Sequence, residues 1–152
     1  MKDMDKIFSK FKSGVYVATT LIDDKKYGWT ISWVSKISFQ PPLIMISIGK
    51  NRKDHEKFME AEIFAVNVLG ENHLEIGRHF GLSSGENVSN FDGINYIELE
   101  TGSPILKDAV GSLDCKIVKT INAGDHVIFI GEVLDAISRD GEGLIFNSKD
   151  FP

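Results

Sequence analysis

The sequence lacks the features that would cross-link the chain, insert it into a membrane or direct it to secretion. It has a single cysteine, Cys115, so no internal disulfide can form. No stretch approaches the roughly 18 apolar residues of a membrane span, and the first 14 residues lack the apolar core of a signal peptide. Acidic residues outnumber basic ones by 22 to 17, which argues against nucleic acid as a partner and gives no reason to expect a membrane surface. We expect one soluble, cytoplasmic domain over residues 1–152.

Several motifs of common enzyme classes are also missing. No glycine-rich dinucleotide fingerprint or P-loop occurs, so a nicotinamide cofactor would have to bind without a Rossmann unit. No G-x-S-x-G nucleophile elbow or paired-carboxylate arrangement stands out for hydrolysis. His55, His73 and His79 lack the spacing to acidic or cysteine partners that a metal needs, so we expect no metal site.

The sequence instead contains many short strand-like segments. Apolar periodicity and turn residues predict a mainly β fold with short helices (α+β), most simply a β-barrel. Asn51 is a plausible N-cap, and the continuous apolar run over 43–48 predicts a strand covered on both faces. We expect a mobile polar loop over 81–93 and a hairpin turn over 123–125. The predicted helices are 3–13, 51–62 and 71–80, and the predicted strands are 15–22, 27–39, 42–48, 64–69, 94–100, 112–121, 126–138 and 144–147.

The most informative segment is YGWTISWVSKISFQPPL, over residues 27–43. Buried hydroxyls without partners are costly, so hydroxyls in a strand normally face water or a polar ligand. Thr30 and Ser32 would share one face of a strand, and Trp29 and Trp33 the other.

This segment resembles the flavin reductase-like family of FMN-binding split barrels, whose signature is similar to G-M-T-x-N-S-x-x-S-x-S-x-x-P-P-L. The resemblance implies an FMN-binding split β-barrel that forms a homodimer with flavin at the interface. It also implies FMN, or possibly FAD, as cofactor and NADH or NADPH as hydride donor. The matching residues are Gly28, Thr30, Ser38, Pro41, Pro42 and Leu43, with Ser32 and Ser35 as close substitutes.

The resemblance also implies where the flavin and nicotinamide bind. His126, after the Gly124-Asp125 turn, would be the catalytic residue beside the nicotinamide; a surface histidine is the alternative. Basic residues at a helix start favour an anion, so the turn after residue 49 would hold the flavin phosphate, although it could also be a solvated basic turn. Asp54 departs from the family's Ser or Thr. The implied cofactor-binding residues are Thr30, Ser32, Trp33, Ser35, Lys36, Ser38, Lys50, Asn51 and Arg52.

The two tryptophans leave more than one function open. Trp29 would pack in the core or at a subunit interface, whereas Trp33 could stack on flavin or narrow the nicotinamide pocket. The first expectation is an FMN-dependent oxidoreductase that passes hydride from NAD(P)H to flavin and onward to a small-molecule or redox-protein acceptor. A non-enzymatic FMN electron carrier is the alternative that Trp33 would favour. A barrel that binds another small ligand is the third.

Overall fold

The computed structural model describes residues 2–81 and 91–151, so most of the loop predicted over 81–93 lies outside the described residues. Within these ranges the chain forms three α-helices, nine strands and one 3₁₀ turn, at Ser148–Asp150. None of these helices is long and apolar enough to cross a membrane. The helices are α1 Lys2–Phe8, α2 His55–Phe58 and α3 Leu74–Phe80, and the strands are β1 Tyr16–Ile22, β2 Lys25–Ile31, β3 Val34–Phe39, β4 Pro42–Gly49, β5 Ile63–Val68, β6 Tyr96–Ile97, β7 Ile105–Leu106, β8 Gly111–Ala123 and β9 His126–Ser138.

Seven strands form one antiparallel sheet in the order β2-β1-β5-β8-β9-β4-β3. A flat sheet of this order would separate its edge strands by six spacings of about 4.8 Å, or roughly 29 Å. Only Ser32 and Trp33 connect the edge strands β2 and β3, and that link spans about 11 Å at most. The sheet must therefore curl until its edges approach, which confirms the predicted barrel.

The barrel closes around an aromatic core. Trp29 packs on Phe58 and Phe58 on Phe129, each pair with ring centroids 4.8 Å apart. Gly131 makes room for the buried Phe64, because a Cβ there would lie 2.5 Å from the Phe64 ring. Trp29 is fully buried, as expected of a core residue.

A buried amide links three parts of the wall. Asn67 of β5 donates to the Val17 carbonyl at 3.0 Å and accepts from the Leu106 amide at 2.9 Å and the Ser112 hydroxyl at 2.8 Å. Such a satisfied network fixes the register of neighbouring strands.

Several local predictions were wrong, including the strand over 94–100, which is reduced to Tyr96–Ile97. The strand predicted over 27–39 breaks at the Ser32–Trp33 link, so Trp29 is buried while Trp33 is 56% exposed. The helix predicted over 51–62 shrinks to α2, whose N-cap is Asp54 in the left-handed conformation, not Asn51. The 43–48 run buries only one face, with Ile44, Ile46 and Ile48 inside. The predicted final strand at 144–147 is reduced to one isolated bridge, between Ile145 and Gly14, next to a second between Gly143 and Gly70.

The β8–β9 hairpin prediction is confirmed. Ala123 pairs with His126 across the two-residue turn Gly124-Asp125, and Gly124 has a φ of 63°. That left-handed conformation is the one that glycine adopts without steric cost. The turn therefore places His126 at the first position of β9.

Candidate active site

A cavity of about 280 Å³ opens where the Ser32–Trp33 link, the end of β4 and the start of β9 meet. Gly49 pairs with His126 in the β4–β9 register, which brings the turn after β4 beside the start of β9. Five residues predicted from the sequence line it: Ser32, Trp33, Asn51, Arg52 and His126. The other lining residues are Ile31, Ser47, Gly49 and Phe146.

His126 is held on two sides at this cavity. The Trp33 ring stacks on the imidazole, with centroids 4.5 Å apart and planes at 26°. Nδ1 of His126 lies 2.7 Å from Oδ1 of Asp125. The hydrogen bond to His126, followed by the charge of that ring, lowers the pKa of Asp125 below its ordinary value. Asp125 is therefore ionised at neutral pH and accepts a hydrogen bond from Nδ1–H.

Gly49 leaves space between two polar side chains. A Cβ at this position would lie 2.8 Å from Oδ1 of Asn51 and 3.6 Å from Nε2 of His126. Both side chains therefore converge on a stretch of bare backbone at the cavity floor. The antiparallel register would have identified Gly49 as the partner of His126, but the sequence alone does not give that register.

Thr30 and Arg52 are already used inside the protein. The buried Thr30 hydroxyl donates to the Gly77 carbonyl of α3 at 2.7 Å. Arg52, only 8% exposed, donates to the carbonyls of Thr30 at 2.9 Å and Gly81 at 2.6 Å. Its Nε is buried with no partner among the described residues, and burial lowers the pKa of Arg52 to about 10. Together the two side chains fasten α3 to the barrel.

Lys50 stands at the edge of a second, more polar cavity of about 660 Å³. Its side chain is exposed, while its backbone N–H donates to the Asp125 carbonyl at 2.8 Å. In the same cavity, burial and then the charge of Lys50 lower the pKa of His55, against the opposing charge of Glu56. Because α2 has only four residues, the cation here is a side chain and not a helix terminus.

The remaining predicted cofactor residues lie on the edge strand β3. Ser35 and Lys36 are exposed and Ser38 is half-buried, and none of the three lines the 280 Å³ cavity. The Ser35 hydroxyl donates to the carbonyl of Lys36 at 3.0 Å.

A larger, mainly apolar groove of about 870 Å³ adjoins the site, and Trp33 and Phe146 line both. Phe8, the last residue of α1, and Phe11, beyond the helix, also line this groove and are 57% and 70% exposed. The helix predicted over 3–13 is present but ends at Phe8, and none of its residues is buried. The contribution of Phe146 could not be anticipated, because no local pattern connects it to Trp33.

The described residues contain no group of three or more His, Cys, Asp or Glu side chains that could hold a metal ion. The donors at the site are hydroxyl, amide, imidazole and ammonium groups. This set suits a phosphate and a polar heterocycle better than a metal.

Comparison with known proteins gives a consistent result. The model of the flavin reductase like domain matches residues 8–152. The chain is 33% identical over 149 residues to an NADH-dependent FAD reductase of Streptomyces globisporus, covering 96% of this chain and 81% of that protein. It is 31% identical over 141 residues to the FMN reductase (NADH) SmoA of Agrobacterium fabrum, covering 93% and 79%. The structure of flavin reductase PheA2 superposes with a TM-score of 0.84 at 31% identity, covering 97% of this chain and 93% of that one.

Proposed function

This chain belongs to the flavin reductase-like domain family, and we propose that it transfers hydride from NADH or NADPH to FMN at the cavity beside His126. The observation that carries this proposal is the convergence of Ser32, Asn51 and His126 on one cavity, with Lys50 at the neighbouring edge. These side chains come from three separate parts of the chain. Their convergence supplies hydrogen-bonding groups for a flavin and an exposed cation for its phosphate.

The residues present fit a flavin. The bare backbone at Gly49 gives a planar ring a surface without a side chain, and Asn51 and His126 offer polar atoms beside it. Lys50 offers an exposed cation, whereas Arg52 is engaged with two backbone carbonyls. FMN, when bound, supplies the ring nitrogen that accepts hydride from the nicotinamide. We assign the phosphate to Lys50 and Asn51, and the nicotinamide contact to His126.

We further propose that the active form is a homodimer. The cavity, at about 280 Å³, is at the lower limit for a small-molecule site, so a flavin and a nicotinamide need further walls. Apolar residues that could supply an interface are half-buried or exposed nearby, including Met45, Ile128, Ile130 and Phe11. Obligate interfaces bury about 2,000 Å² or more. Light scattering of the flavin-loaded protein should give twice the chain mass; a monomer with bound flavin would contradict this proposal.

A cytoplasmic location is also proposed. It is supported by the single thiol, Cys115, which is buried and unpaired and suits a reducing compartment.

The direct test mixes purified protein with NADH and FMN and follows the loss of NADH absorbance. A protein that binds FMN but leaves NADH unoxidised, while still exchanging electrons after chemical reduction, would be the electron carrier. A protein that stays colourless with FMN or FAD would bind another ligand. Parallel titrations with FMN and FAD decide which flavin is preferred.

Lys50→Ala tests the phosphate assignment. A charge-assisted hydrogen bond contributes roughly 1.5–3 kcal/mol, so FMN affinity should fall about 10- to 150-fold. Riboflavin lacks the phosphate and should bind the variant and the parent almost equally. Lys107→Ala, which removes another exposed lysine, is the matched control. An equal loss of riboflavin affinity in Lys50→Ala would make the residue structural.

His126→Ala tests the nicotinamide assignment. Because a misplacement of about 1 Å can cost around 100-fold, the rate of flavin reduction should fall or the KM for NADH should rise. FMN affinity should stay near the parental value. Unchanged stopped-flow reduction would exclude His126 from the reaction.

A further inference from the structure

We propose that Asp125 and Trp33 are positioning residues, which clamp His126 so that its Nε2 faces the cavity as a hydrogen-bond acceptor. This inference rests on the proposed function for its catalytic consequence. The arrangement itself is a contact at the ring edge and a contact on the ring face, made by residues from different parts of the chain.

The edge contact determines which ring nitrogen carries the proton. Asp125 is ionised at neutral pH and can only accept, so the 2.7 Å contact requires a proton on Nδ1 of His126. A neutral imidazole has one N–H, so Nε2 then carries a lone pair. Nε2 is the atom on the Gly49 side of the ring, 3.6 Å from the position of a Gly49 Cβ. While the imidazole is neutral, this lone pair is available to an N–H donor in the cavity.

The face contact limits how the ring can turn. Trp33 stacks at 4.5 Å and 26°, so rotation of the imidazole out of its plane would collide with the indole or abandon the stack. The backbone supports the same geometry. The Ser47 N–H donates to the Trp33 carbonyl at 3.0 Å, and the Lys50 N–H donates to the Asp125 carbonyl at 2.8 Å. Both clamping residues are thus tied to β4 or the turn that follows it.

The chemistry of the ligand follows from this acceptor. A nicotinamide carboxamide carries an NH₂ group, and a fixed Nε2 can accept one of its hydrogens. That bond would orient the nicotinamide ring relative to the flavin, which is the positioning on which hydride transfer depends. Release of either clamp should therefore affect hydride transfer more than flavin binding.

The first experiment measures which ring nitrogen of His126 carries the proton. ¹⁵N-histidine NMR on the full-length FMN-loaded protein, at a pH where the imidazole is neutral, should show His126 protonated on Nδ1. His126→Ala identifies its signals among those of the four histidines. Asp125→Asn should give a mixture of tautomers, and Asp140→Asn, which removes another exposed carboxylate, should change nothing. Protonation on Nε2 in the parent would overturn the proposal.

The second experiment tests the stack. Trp33→Leu should remove the upfield ring-current shift of the His126 carbon-bound protons, and Trp33→Phe should retain much of it. Stacked aromatic pairs contribute the equivalent of about a 2- to 12-fold change, so flavin reduction by NADH should slow by that factor in Trp33→Leu. Trp33→Phe should restore most of the rate. Phe39→Leu on the exposed part of β3 is the matched control for loss of an aromatic ring.

The two readouts separate this inference from the proposed function. If the parent does not oxidise NADH, the proposed function fails, while the NMR result still decides whether the clamp exists. If the parent reduces flavin but Asp125→Asn and Trp33→Leu change neither the tautomer nor the rate, the clamp is refuted.

Discussion

Arg52→Met distinguishes a structural arginine from a ligand-binding one. The variant keeps most of the apolar stem and removes the guanidinium, which donates to the carbonyls of Thr30 and Gly81. Because these bonds fasten the end of α3 to β2, we expect a loss of stability and not a selective loss of FMN. A phosphate ligand would show the opposite pattern.

The magnitude follows from two opposing contributions. Two hydrogen bonds from a charged donor contribute about 1.5–3 kcal/mol each, or roughly 3–6 kcal/mol together. Burial of the cation opposes them. Burial lowers the pKa of Arg52 to about 10, and at about 1.36 kcal/mol per pKa unit this fall from the ordinary value corresponds to about 3 kcal/mol. The difference is roughly 0–3 kcal/mol, so we expect Arg52→Met to destabilise the protein by about 1.5 kcal/mol, the middle of that range.

Urea unfolding followed by tryptophan fluorescence measures this change, since Trp29 is fully buried and becomes exposed on unfolding. Arg78→Met is the matched control: Arg78 also donates to a backbone carbonyl, that of Asp150, but its side chain is 45% exposed. We expect the control to change stability by less than about 1 kcal/mol. The ratio of FMN to riboflavin affinity should stay parental in Arg52→Met. Parental stability with a selective loss of FMN affinity would refute the structural role.

Three further predictions concern groups that are buried or half-buried. The pKa of His55 is lowered in the folded state, so below about pH 6.5 the unfolded chain binds more protons and the free energy of unfolding decreases as the pH is lowered. Urea unfolding at pH 7 and pH 5 should therefore show a smaller loss of stability for His55→Gln than for the parent, and an equal loss would contradict this. Asn67→Leu should lower the free energy of unfolding by about 3–5 kcal/mol in the same assay, because it leaves the buried Leu106 amide and Ser112 hydroxyl without their acceptor. The exposed Asn122→Leu should lower it by only about 0.5 kcal/mol, and similar losses for both variants would contradict the network. Burial raises the pKa of Cys115 to about 12, so at pH 8 the native thiol should react with a disulfide reagent about 1,000-fold more slowly than the unfolded chain, and fast native labelling would be inconsistent with it.

Local patterns predicted the elements whose contacts are local. The β8–β9 hairpin was predictable because a glycine at the turn and strand-forming residues on both sides specify the same structure. The predicted helix at Asn51 failed because Asp54 adopts φ 61° and delays the start of α2, which the residue types did not indicate. The internal contact of Thr30 could not be predicted, because the acceptor of its hydroxyl, the Gly77 carbonyl, is 47 residues away. A sequence pattern shows that a hydroxyl lies in a strand but not which buried carbonyl it meets.

Closure of the barrel and assembly of the site depend on the same two residues. Strand propensity continues from β2 into β3, so nothing local marks Ser32 and Trp33 as a break. They form a break because the chain must pass from one edge of a seven-stranded sheet to the other. A residue in that passage belongs to neither strand face, and it meets whatever lies between the edges, here the end of β4 and His126 at the start of β9. The indole of Trp33 is therefore placed on His126 by the topology of the barrel, across 93 positions of sequence that no local pattern connects.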